Sequence, residues 1–209
     1  SATPGGKREP LQAGGERISE GVMRVQRTPK HGVLRWSEER KKAERNAGNK
    51  CKIVEGFRVK KILFAASEGV PFIKTGGLAD VVGSLPKSID RQYYDVRVIL
   101  PKYGCMKQEM KDKMQYVTHF YMDYNWKNVY VGVLEAEEDG VHYYFIDNEY
   151  YFSGEKPYSD DPRWEIERFA YFSKAVLSAL PAIGFQPDVI HCHDWQTGLI
   201  PVYLKERFH

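Results

Sequence analysis

The chain has 209 residues, 42% of them hydrophobic and 28% charged, with a formal net charge of +3. That is enough material for one domain with a substantial core, or for a domain and a tail. No apolar run approaches the roughly 20 residues a membrane-spanning helix needs, no signal-peptide pattern opens the chain, and Cys51, Cys105 and Cys192 lack C-x-x-C spacing, so reduced thiols in a cytoplasmic protein are expected and not a disulfide frame.

The charge is unevenly spread. Ser1–Arg58 carries roughly 14 Lys and Arg against roughly 7 Asp and Glu, which leaves the remainder net acidic by about 4. This first stretch is poor in large apolar residues and broken by Pro4, Gly5, Gly6, Pro10, Gly14 and Gly15. It reads as a disordered or loosely helical extension, with a short charged helix over Ser37–Asn46. As a basic arm for nucleic acid it lacks interleaved aromatics and any known motif, so no nucleic-acid partner is expected. A further reading is that it does not belong to the natural protein. The domain organisation is therefore an extension over 1–58 and a folded domain over 59–209.

From Val59 the pattern changes. Lys60–Ala66 is short, apolar and bounded by polar residues, as a buried parallel strand is. Lys74-Thr75-Gly76-Gly77 then precedes a helical stripe of Leu78, Val81, Val82, Leu85 and Ile89, which Pro86 should end or kink. A strand, a glycine loop and a helix can hold an anion: free N–H groups and the helix dipole face the loop, and a lysine adds full charge. Asp95–Leu100 is a second strand, completing a βαβ unit.

Three β-rich runs follow, Tyr116–Tyr124, Val129–Glu135 and Val141–Ile146, separated by turn signals at Asn125–Asn128 and at Glu138-Asp139-Gly140. Tyr150–Arg163 reads as a long aromatic loop of the kind that is often functional. Glu165–Leu180 is helical, ended by Pro181 and Gly184; Asp188–His191 is a strand and Trp195–Phe208 a helix. The class is α/β: a Rossmann-like, doubly wound, mostly parallel sheet with an antiparallel β-rich middle, its ligands expected at the carboxyl ends of strands.

His191-Cys192-His193-Asp194-Trp195 leaves that last strand. In a strand the two histidines point the same way, and His193 falls in the region of the glycine loop. H-x-H with an adjacent Asp also has the spacing of metal-dependent hydrolases, but no recognisable partner motif surrounds His31, His119, His142 or His209. The plainer readings are a buried histidine bonded to backbone at His191, a helix cap at Asp194 and packing at Trp195.

The motifs Lys74-Thr75-Gly76-Gly77-Leu78-Ala79-Asp80, Asp95–Tyr103 and Pro187–Lys205, in this order and spacing, resemble bacterial glycogen synthases and plant starch synthases over Val59–His209. The resemblance implies a GT-B fold of two Rossmann-like domains, of which this chain holds an incomplete amino-terminal one, with a partner carboxyl-terminal domain. It implies transfer of glucose from ADP-glucose to the non-reducing end of an α-1,4-glucan such as glycogen, with retention, and without metal, other cofactor or membrane. Lys74, Gly76 and Gly77 would meet the diphosphate, Asp80 would lie near the donor, and His193 would face the transferred glucose as the catalytic residue. The 209-residue chain alone is expected to be inactive. An acidic pair that family members often carry before Arg-Phe has Glu165 as a partial counterpart ahead of Arg168-Phe169. A separate class remains open, a non-catalytic glucan- or sugar-nucleotide-binding module using Tyr143, Tyr144, Tyr150, Tyr151, Phe152 and Tyr158, as does the hydrolase that would use His191 and His193.

Overall fold

A computed structural model describes residues 53–54 and 57–207. The helix expected over Ser37–Asn46 lies outside the described residues, as do Cys51, His31 and His209. The first elements are two short antiparallel strands, β1 (Ile53–Val54) and β2 (Phe57–Arg58). The Arg58 side chain pairs with Asp188, and Asp188 Oδ2 accepts from Lys61 N at 2.8 Å.

The main sheet has six strands: β3 (Lys60–Ala65), β4 (Tyr94–Pro101), β5 (Gln115–Tyr124), β6 (Lys127–Glu138), β7 (Val141–Asp147) and β8 (Val189–Cys192). Their spatial order is β5-β6-β7-β4-β3-β8. Strands β7, β4, β3 and β8 are mutually parallel, in registers such as Ile62 opposite Val96 and Ile62 opposite Val189. Strands β5 and β6 add an antiparallel flank. The β-rich runs of the middle thus extend the sheet itself.

Burial follows this division. In β4, Val96, Val98, Ile99 and Leu100 are buried, and in β7 Tyr143, Tyr144, Phe145 and Ile146 are, because central parallel strands are covered on both faces. Strand β5 alternates instead, with Tyr121 exposed and Met122 buried. The hairpin turns are as the turn signals predict. Asn125 and Trp126 (φ 49° and 57°), and Asp139 and Gly140 (φ 51° and 73°), have the double positive φ that matches strand twist in two-residue hairpins.

Helices α1 (Gly77–Ser88), α2 (Gln108–Lys111), α3 (Glu149–Phe152), α4 (Pro162–Ala182) and α5 (Leu199–Arg207) complete the unit. Helix α1 packs on β4, and α4 packs on β5, β6, β7 and α5. Prolines alter these helices less than the sequence suggests. Pro86 and Pro181 both lie inside their helices, near the ends. Helix α4 starts three residues early, at Pro162, because Asp161 caps it by accepting from Arg163 N at 2.9 Å and proline suits a first turn. The expected helix from Trp195 divides into a 3-10 turn, Trp195–Thr197, and α5. Among the described residues no helix is long and apolar enough to cross a membrane.

Candidate active site

Strands β3 and β8 are neighbours, and their carboxyl ends carry the two motifs. Backbone pairing continues past β8, where His193 N donates to Ala65 O at 3.0 Å. Beyond β3 come Ser67 and Glu68, both buried, then a tight turn in which Gly69 and Ile73 exchange two backbone bonds of 3.1 Å around a cis Val70–Pro71 bond. Helix α1 lies close against this turn, since a Cβ on Gly83 would fall 2.2 Å from Val70 Cγ2 and 2.7 Å from Val70 O.

The glycine loop is held from beneath. The Glu68 carboxyl accepts from Thr75 N at 2.5 Å and from Thr75 Oγ1 at 2.6 Å. Gly76 is the N-cap in extended backbone (φ −149°), with no side-chain cap on the helix. The first-turn N–H groups of α1 therefore lack the usual side-chain acceptor. Neither glycine is required by its own backbone angle. A Cβ on Gly77 would meet nothing within 4 Å, so the bare backbone there serves open space in front of the helix. Lys74 Nζ forms an exposed ion pair with Asp80, at 2.7 and 2.8 Å to its two carboxylate oxygens.

The rings of His191 and His193 stand 4.4 Å apart, on one face of the strand as the i, i+2 spacing requires. Their burial reverses the sequence expectation. His191 is exposed, because β8 is the outer strand among the described residues, whereas His193 is 9% exposed and stacks on Phe64 at 5.2 Å. Burial, reinforced by the neighbouring His191, lowers the His193 pKa to about 4, so its ring is neutral at pH 7. Its Nε2 is buried with no hydrogen-bond partner.

Asp194 has φ 62° and ψ 178°, a region nearly reserved for glycine, and caps the 3-10 turn by accepting from Trp195 N at 2.7 Å. Thr197 Oγ1 donates to His193 O at 2.9 Å and fixes the turn from within. Trp195 rests an edge on Phe169 at 5.5 Å while half of it stays exposed.

Two contributors, Ser67 and Glu68, escaped the sequence reading, and a third, Tyr158, was expected in another role. Glu68 and Ser67 were legible only as polar residues directly after an apolar strand, at the end where α/β ligands bind. Tyr158 comes from the aromatic loop, and its hydroxyl lies 2.8 Å from Ser67 Oγ. Burial pushes the Tyr158 phenol up, which keeps the hydroxyl protonated. Of the six aromatics considered for a glucan platform, Tyr143, Tyr144, Tyr151 and Phe152 are buried in the core and cannot face a ligand; only Tyr150 is largely exposed. Among the described residues no group of three or more His, Cys, Asp or Glu is arranged to hold a metal ion, so the His191 and His193 pair lacks the ligand set of a hydrolase there. A cavity of about 190 Å³ between Gly104, Asp147 and Phe152 is lined by Lys102 and Tyr103, the end of the Asp95–Tyr103 motif, and by no residue of the glycine loop or of the His191–Trp195 segment.

A family model described as the starch synthase catalytic domain matches residues 61–209. The chain belongs to this family. Glycogen synthase of Lachnospira eligens is 64% identical over 153 residues, which is 72% of this chain and 31% of that protein. Glycogen synthase of Lachnoclostridium phytofermentans is 61% identical over 150 residues, with the same coverage of 72% and 31%. A solved structure of the family, the catalytic domain of starch synthase IV from Arabidopsis thaliana bound to ADP and acarbose, superposes with a TM-score of 0.62 at 31% identity. It covers 71% of this chain and 30% of that one. The chain thus spans about three-tenths of the length of these relatives.

Proposed function

We propose that this chain is the amino-terminal part of an ADP-glucose-dependent glycogen synthase, a retaining glucosyltransferase that extends the non-reducing end of an α-1,4-glucan. Residues 59–209 form the amino-terminal Rossmann-like domain, with 1–58 as an extension outside it. A second Rossmann-like domain closes the other side of the cleft, and the protein works in the cytoplasm. The 209-residue chain by itself transfers no glucose.

The observation that carries the reading is the pairing of two features at the carboxyl ends of adjacent parallel strands. One is the open, uncapped start of α1 with Lys74 and Gly77; the other is the buried neutral His193 with an unpartnered Nε2. When glucose leaves ADP, negative charge grows on the diphosphate. Groups aimed there stabilise the transition state more than the ground state. Lys74 and the N–H groups at Gly76 and Gly77 supply that stabilisation. Asp80 holds Lys74, but the pair is solvent-exposed and an exposed pair contributes only about 0–1 kcal/mol. A diphosphate can therefore take the lysine over at small cost, leaving Asp80 beside the donor. A neutral His193 exchanges hydrogen bonds with sugar hydroxyls without adding a competing charge. The ADP in the Arabidopsis structure supports an adenine nucleotide as donor.

Incorporation of labelled glucose from ADP-glucose into glycogen, by the full-length protein carrying these residues, tests the reading. Lys74→Ala should lower kcat/KM by about 100-fold, the range for removing one group that stabilises transition-state charge. A wild-type protein that binds glycogen but incorporates nothing would be a glucan-binding module instead.

A further inference from the structure

One turn into α4, Glu165 and Arg168 form an ion pair that is almost wholly removed from solvent: the residues are 7% and 3% exposed, with Arg168 Nη1 3.4 Å from Glu165 Oε1. Arg168 is wrapped in aromatic rings, its guanidinium 4.9 Å from the Phe169 centroid, 5.4 Å from Phe152 and 5.6 Å from Tyr103. Apolar residues fill such a place at no loss of stability, and often with a gain, so a buried pair is poor evidence of a stabilising device. Each partner spends a further hydrogen bond on the same short segment. Arg168 Nη2 donates to Pro157 O, and Glu165 Oε1 accepts from Ser159 N at 2.9 Å. Between these two anchors lies Tyr158, whose hydroxyl meets Ser67 beside Glu68, the residue that holds Thr75 and the glycine loop. Among the described residues, the backbone of 154–159 makes no hydrogen bond to any other backbone group. Its backbone is tied down by the two side chains of α4, while Tyr158 itself reaches Ser67 and packs beside Phe169.

We propose that the buried Glu165–Arg168 pair is a clamp that grips the chain on both sides of Tyr158 and thereby positions its hydroxyl at the wall of the sugar-nucleotide site. Both are positioning residues: they touch no substrate and act through Tyr158. The proposal rests on the glucosyltransferase reading and adds the means by which helix α4, far along the sequence from the glycine loop, sets the shape of its site. It also gives a role to the acid ahead of Arg168-Phe169, whose hydrogen bond and ion pair go to Ser159 and Arg168.

The test compares Glu165→Gln with Glu165→Met, and Arg168→Lys with and without Tyr158→Phe, in the full-length protein. Gln and Met both remove the charge, but only Gln keeps an acceptor for Ser159 N. Glu165→Met should raise KM for the sugar nucleotide about tenfold with kcat within about threefold, and Glu165→Gln should stay within about threefold of wild type in both. Arg168→Lys should also raise KM about tenfold, and adding Tyr158→Phe should cause no further loss, because both act on one contact. Hydrogen exchange should quicken over 153–161 in Glu165→Met, with α4 still protected. Equal effects of Gln and Met, multiplying effects of Arg168→Lys and Tyr158→Phe, or unchanged exchange in the segment would each overturn the clamp. If Arg168→Lys does not fold, the two Glu165 variants decide alone. A wild-type protein without transfer from ADP-glucose would sink the functional reading yet leave the exchange result to judge the clamp.

Discussion

The two halves of the sheet handle their strand ends in opposite ways. In the antiparallel flank the chain turns back in two-residue hairpins, and the polar groups around the second turn are spent on each other: Lys87 pairs with Asp139 at 2.6 Å, Lys113 with Glu138 at 2.7 Å, and Arg91 donates to Asp139 O at 2.8 Å. In the parallel half, beyond β3 and β8, groups are left unspent. The start of α1 has no side-chain cap, Gly77 faces open space, His193 Nε2 has no partner, and Asp194 holds a backbone angle that suits glycine. Positive φ occurs in both halves, but in the hairpins it matches the twist of the strands, whereas at Asp194 it is strain of about 1–3 kcal/mol of the kind found at functional sites. Paired groups maintain a fold; unpaired ones await something else.

Substitutions can break or sharpen this contrast. The largest effect is expected at His193. His193→Ala should lower kcat/KM of the full-length protein by about 100-fold or more, while Tyr121→Ala on the outer face of β5 should leave the rate unchanged. Initial-rate assays read the difference, and a loss in both variants would erase the distinction between the halves.

Next come two glycines of one helix. Gly83→Ala drives a Cβ into Val70 backbone and side chain and should cost about 3 kcal/mol of stability by denaturant titration. Gly77→Ala meets nothing within 4 Å, so stability should hold or rise by up to about 1 kcal/mol, with activity nevertheless reduced. A Gly77→Ala variant of normal activity would mean that no ligand comes close to that backbone.

An effect of similar size is expected from pH. His193 has its folded pKa near 4 against an ordinary 6.5, so between those values the unfolded chain binds a proton that the folded chain refuses. Stability is therefore complete above about pH 6.5 and falls as pH drops toward 4, by up to about 3 kcal/mol. Urea midpoints at pH 7 and pH 4.5 should diverge less in His193→Asn than in wild type; parallel shifts would remove His193 as the source.

The smallest change belongs to the hairpin end. Lys113→Ala removes a partly exposed ion pair and should change stability by less than about 1 kcal/mol, with catalysis intact.

Much of this was legible in the residues. Apolar runs bounded by polar ones gave the parallel strands, Asp139-Gly140 gave a hairpin, and the i, i+2 spacing put His191 and His193 on one side. The rest depends on what tertiary packing does with local signals. Sequence favours His191 as the buried ring, but burial is decided by what lies beside a strand, and β8 is outermost among the described residues. The aromatic run Tyr143–Phe152 looks equally suited to a sugar platform or a core, and only the sheet order, with β7 between β6 and β4, sends most of it inward. Glu68, Tyr158 and the Glu165–Arg168 pair form one chain of contacts across about 100 residues of sequence; the pattern before Arg168-Phe169 points to Glu165, but no local signal links it to Tyr158 or Glu68.

Helix α1 offers the most direct test, because it has an ion-paired lysine near each end, Lys74 with Asp80 and Lys87 with Asp139. The measurement is glucose incorporation from ADP-glucose into glycogen by the full-length protein and by its Lys74→Ala and Lys87→Ala variants. The account predicts transfer by wild type and by Lys87→Ala at comparable rates, and a loss of about 100-fold in Lys74→Ala. Transfer that survives Lys74→Ala unchanged, or a wild-type protein that transfers nothing, would contradict it.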